Sequence, residues 1–183
     1  EVPPLDPGVP YGDLIPPVHS EYTPPAYEEV ANAIDREPTV LIVTPSNPAG
    51  AVNATDSVDE SGLPMRGSEP EGTLEPQDIE TTTGTIVFSA EDGLQSITIN
   101  GVAVTAVGQQ IVGDNGILTI TSINLATGEI GYTYTVTDNT ADGVDDFDDF
   151  TVVVTDSDGD TAAATLHIDI AADAPIARDD ADP

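Results

Sequence analysis

Residues 128–137 read Gly128-Glu129-Ile130-Gly131-Tyr132-Thr133-Tyr134-Thr135-Val136-Thr137, and their alternation decides the fold class. Successive side chains of an extended strand point to opposite faces, so Ile130, Tyr132, Tyr134 and Val136 share one side while Thr133, Thr135 and Thr137 share the other. One apolar face and one hydroxyl-rich face describe a strand with a core on a single side. Toward the C-terminus, Phe150, Val152 and Val154 repeat the pattern. Ala162, Ala164, Leu166, Ile168 and Ile170 repeat it again, opposed by Thr161, Ala163, Thr165, His167 and Asp169. Toward the N-terminus, residues 117–123 alternate after the turn Asp114-Asn115-Gly116, and Asn100-Gly101 is a two-residue hairpin signal between 94–99 and 102–104. Ile86 and Phe88 share a face in 85–89, ahead of a turn at Asp92-Gly93.

Short strands at this spacing predict an all-β fold: an antiparallel, immunoglobulin-like β-sandwich over 84–171, with Tyr132, Tyr134, Val152, Leu166 and Ile168 inside. The chain lacks both Trp and Cys, which excludes an antibody-type domain. Residues 39–44, TVLIVT, are a further strand candidate closed by Pro45. It is either the first edge strand of this domain or a strand added to a neighbour's sheet. Residues 51–60, AVNATDSVDE, form a weaker strand candidate, and 61–80, rich in Gly, Pro and Glu, form a long loop. Ahead of these, Pro3, Pro4, Pro7, Pro10, Pro16, Pro17, Pro24 and Pro25 fix extended backbone that cannot pair in a sheet. The predicted organisation is a proline-rich extended arm at 1–50 carrying the strand candidate 39–44, a calcium-binding sandwich at 51–172, and an acidic linker to the next domain at 173–183.

The calcium expectation comes from charge. The net charge is −31, with 34 acidic side chains against three basic ones. Such a balance excludes a phosphate-neutralising nucleic-acid reader and points to cations as partners. Without cysteine there is no disulfide framework and no thiolate site for a soft metal. No apolar run approaches the ~18 residues of a membrane span, so no membrane insertion is expected. Residues 138–160, DNTADGVDDFDDFTVVVTDSDGD, bracket one apolar strand with aspartates and hold no basic residue. Carboxylates packed so densely repel unless a cation neutralises them, and Ca²⁺ takes 6–8 oxygen ligands. Asp156, Asp158 and Asp160 alternate around Gly159 as such a loop requires, and Asp138, Asp59 and Glu60 are further candidate ligands. The loop is not an EF-hand. Counting from Asp156, Thr161 stands where the glycine belongs and His167 where the bidentate glutamate belongs.

Five stretches in order resemble the Ig-like or cadherin-like, VCBS-type tandem repeats of large bacterial RTX adhesins: VNATDSVDESGLP at 52–64, DGLQSITINGVAV at 92–104, GILTITSINLATGEIGYTYTVTDNT at 116–140, residues 150–170, and DAPIARDD at 173–180. The glycine-rich nonapeptide β-roll of RTX proteins is absent from the chain. The resemblance implies a calcium-rigidified extender domain exported by type I secretion to the bacterial cell surface, in the service of cell adhesion and biofilm. It also implies a monomeric unit whose partners are calcium and the neighbouring repeats, with Asp173, Asp179 and Asp180 meeting loop acids such as Asp158 and Asp160 near domain junctions. The competing reading is a module of the same adhesin that binds a peptide or a sugar. No enzyme is expected: His19 and His167 have no Ser or Cys nucleophile in a recognisable pattern, and both read as solvated surface residues.

Overall fold

The computed structural model describes residues 35–67, 71–140 and 146–173. The proline-rich arm ahead of Asp35 and the acidic linker beyond Asp173 lie outside the described residues. The compact unit that carries every described strand starts at Arg36.

Among the described residues ten strands form in chain order: β1 Thr39–Val43, β2 Asn53–Asp59, β3 Thr81–Ser89, β4 Leu94–Ile99, β5 Val102–Ala103, β6 Gln110–Val112, β7 Gly116–Asn124, β8 Glu129–Val136, β9 Asp146–Asp156 and β10 Thr161–Ala171. They make two five-stranded sheets, ordered β1-β3-β8-β7-β6 and β2-β10-β9-β4-β5. Each sheet turns one face to a shared core, as the alternation at 128–137 requires. Tyr132, Tyr134, Val152, Leu166 and Ile168 are all buried there, while Thr133 and Thr135 face outward. The chain is thus an all-β, sandwich-like protein.

Two features differ from the sequence reading. The sheets are not wholly antiparallel, because β2 runs parallel to β10, with Ala54 beside Leu166 and Val58 beside Ile170. The chain can make this pair because the hairpins of the rest of the domain separate β2 from β10 and return the last strand in the same direction. The sandwich also reaches ahead of 51–172, taking in the strand at 39–43 that the sequence reading assigned to the arm. β1 is the edge strand of the first sheet, pairing Ile42 with Ile86, and Val40, Ile42, Ala54 and Val58 belong to the core. Of the two roles open to TVLIVT, the described structure shows the edge strand of its own domain. The loop after β2 opens with a 3₁₀ turn, Glu60–Gly62, and Leu63 plugs the core behind it.

The strand directions define two poles. β1 begins at Thr39 beside Ser89, at the pole that also holds the β3–β4 turn and the loop 157–160. Ser157 N–H donates to the Gly93 carbonyl at 2.9 Å, which ties these two loops together. We call this the proximal pole. β10 ends at Ala171, beside Asp59 of β2 and the start of β9, at the distal pole. Its eleven residues, at ~3.3 Å each, span about 36 Å between the poles.

Candidate metal sites at the two poles

At the proximal pole the turn from β9 to β10 carries Asp156, Asp158 and Asp160. Asp156 continues the inward parity of Phe150, Val152 and Val154, so the strand buries its side chain completely. Its Oδ1 accepts the backbone N–H groups of Gly159 at 3.1 Å and Asp160 at 2.8 Å. Gly159 has φ +108°, a conformation open to glycine, which lets the loop close over the carboxylate. Oδ2 is buried with no hydrogen-bond partner among the described residues. The Asp158 side chain lowers the Asp156 pKa most; burial opposes it, and the N–H groups of Asp160, Gly159 and Asp158 lower it further. Two carboxylates in contact share either one proton or one cation. A buried oxygen without a partner, in an all-oxygen donor set, fits a hard cation such as Ca²⁺. Asp158 and Asp160, whose carboxylate oxygens come within 4.8 Å of each other, are the pair that would share it, beside the buried Asp156.

The distal pole gathers Asp59, Glu60, Asp138 and Asp173, and each has a hydrogen-bonding task there. Asp59 caps the 3₁₀ turn, its Oδ1 accepting Ser61 N–H at 2.9 Å and Ser61 Oγ at 2.6 Å. Glu60 is buried, and its Oε1 accepts the N–H of Thr140. Asp138 is exposed; its Oδ1 accepts the N–H of Asn139 at 2.9 Å and lies 3.7 Å from Nη2 of Arg66. Asp173 accepts Thr73 Oγ at 2.6 Å and Thr73 N–H at 3.2 Å, which fastens the end of the last strand to the long loop. Asp179 and Asp180 lie outside the described residues. Within one copy Asp173 stands at the opposite pole from Asp158 and Asp160, so those three can share an ion only where one domain follows another.

The sequence reading passed over two further acids of this pole. Glu80 Oε2 and Asp146 Oδ2 are buried atoms with no hydrogen-bond partner among the described residues. It also passed over two aspartates inside the sandwich. Asp56 accepts the hydroxyls of Thr82 and of Ser46, the latter at 2.9 Å. Asp148 accepts Tyr134 Oη at 2.7 Å and the N–H groups of Asp114 at 2.8 Å and Asn115 at 3.0 Å. The signal was present as parity. Asp56 lies between the inward Ala54 and Val58, and Asp148 lies two residues before Phe150.

Between the poles the outer face of the first sheet carries few charges. In the first sheet the outward positions of β1, β3 and β8 are mostly Thr, Val and Leu, and Glu129 is the charged residue among them. No helix among the described residues is long and apolar enough to cross a membrane. No protein-family model matches the chain, and no curated protein matches it.

Proposed function

We propose that this domain is a calcium-rigidified extender unit of a large bacterial surface adhesin, built as an immunoglobulin-like repeat preceded by an extended proline-rich arm. The observation that carries the reading is polar: the first strand starts at one end of the sandwich, the last strand leaves at the other, and candidate ligand acids sit at both. A unit built this way adds its length to a chain of units, whereas a domain whose first and last strands met at one end would fold back. The buried oxygen of Asp156 with no partner supports a cation at the proximal loop. Export and the cell surface rest on the resemblance of residues 52–180 to adhesin repeats.

The test is a thermal unfolding series with calcium, with a chelator, and with sodium at matched ionic strength. A cation bound only by the folded state contributes RT ln(1 + [L]/Kd), about 2.7 kcal/mol per site at 100 times Kd. Extracellular modules bind calcium at ~10⁻⁴–10⁻³ M, so millimolar calcium should raise Tm well above the sodium control. Asp156→Asn should remove most of that difference. Equal midpoints in sodium and calcium would mean that the carboxylates are only screened, and the proposal would fall.

A further inference from the structure

The antiparallel register of β9 and β10 sets Asp149 directly opposite His167, and both point outward from the second sheet. Asp169, two residues along β10, shares that face. The imidazole lies between the two carboxylates, with Nδ1 2.7 Å from Asp149 Oδ1 and Nε2 3.2 Å from Asp169 Oδ1. A neutral imidazole carries one N–H, and an ionised carboxylate only accepts. One contact could then be a hydrogen bond while the other would set two lone pairs against each other. Both contacts become hydrogen bonds only when the ring carries two protons. The Phe147 ring, centred 4.8 Å away and tilted 35°, offers a π face that also favours the charged ring.

From this geometry we propose that His167 is a proton-operated clamp: the imidazolium bridges β9 to β10, neutralises Asp149 and Asp169, and lets go when it loses its proton. The groups facing it leave no rival for this role. β9 contributes Asp149 and, along the same groove, Asp146; β10 contributes Asp169; β2 sets Thr55 and Ser57 opposite His167 and Asp169, and neither titrates. Asp149 first, then its charge together with that of Asp169, raises the His167 pKa from the ordinary 6.5 against the opposing effect of burial. The groove, of about 710 Å³ and lined also by Phe147 and Ala171, therefore changes charge with pH. Deprotonation leaves two carboxylates without a counter-charge beside an aromatic ring, a surface that attracts an external cation.

The experiment is an NMR titration of the histidine ring resonances in the intact chain, in which His19 serves as a second reporter. His167 should titrate above the ordinary histidine value, and Asp149→Asn and Asp169→Asn should each lower its midpoint. Amide exchange at 165–169 and 149–151, corrected for intrinsic base catalysis, should rise through the same midpoint in the natural chain and lose that step in His167→Gln. A His167 midpoint at or below the ordinary value, or one that the double variant Asp149→Asn/Asp169→Asn leaves in place, would overturn the clamp. So would an exchange step that persists in His167→Gln.

Discussion

Two tyrosines on adjacent inward positions of β8 occupy opposite energetic situations. Tyr134 donates to the buried Asp148, whereas the Tyr132 hydroxyl is buried with no hydrogen-bond partner among the described residues. Burial raises both phenol pKa values first; the hydrogen bond to Asp148 adds to the shift at Tyr134, and the charge of Asp56 adds to it at Tyr132. Tyr134→Phe should cost about 1.5–3 kcal/mol, because it leaves a buried acceptor one donor short. Tyr132→Phe should be neutral or slightly stabilising, since it removes a hydroxyl that was desolvated without return. Urea unfolding midpoints of the two variants check the contrast, and equal losses would contradict it. Glycine has its own task here. Gly84 sits opposite Tyr132 in the register, and a Cβ on it would collide with the Tyr132 hydroxyl and ring. Gly84→Ala should therefore destabilise by ~1–3 kcal/mol even though alanine suits an extended chain better. An unfolding midpoint equal to that of the natural chain would show that the ring can move aside.

The elements were legible where alternation was strict and obscure where it was not. β8, β9 and β10 stand where Ile130–Val136, Phe150–Val154 and Ala162–Ile170 alternate, since a buried face every second residue has no other solution. β3 begins earlier than its apolar residues suggest, at Thr81, because threonine forms strands without advertising a core face. β6 was not legible: three residues, one of them buried, give no period to read. The polar loops were legible as acidic, but the tasks of their acids were not. Asp59 looks like a ligand in sequence and caps a turn in the structure, because capping depends on the fold of the next three residues. The pairing of His167 with Asp149 depends on register, which the sequence alone does not supply. That pair also sets a pH dependence. A histidine whose folded pKa is raised contributes stability fully below its ordinary 6.5, and loses it as pH rises through the folded value. His167 is about one-third exposed and Asp149 half exposed, so the loss is small, about 0.2–1 kcal/mol. Denaturation midpoints measured across that window should fall in the natural chain and not in His167→Gln.

At the scale of the whole molecule, a net charge of −31 on a chain of 183 residues makes compaction work against self-repulsion. Low ionic strength should lower the unfolding midpoint, and neutral salt should recover part of it; a midpoint indifferent to salt would mean that the polar clusters are already neutralised. The long axis of the sandwich has a separate consequence, which is mechanical. Tension applied at the two poles runs along the strands and not across them. β10, the last strand, is held on both sides, by β2 and by β9, so a pull on its end loads two hydrogen-bond ladders in shear. Ladders in shear must fail together, whereas ladders peeled from one end fail bond by bond. β1 has one full ladder, five residues along β3, with a single two-bond bridge from Ile42 to Ala51 on its other edge, and is the place where a stretched unit should yield first. Single-molecule pulling by these ends should show an early small extension as β1 detaches, followed by one abrupt rupture of the rest. A smooth, low-force lengthening would mean that the load enters the fold by another path.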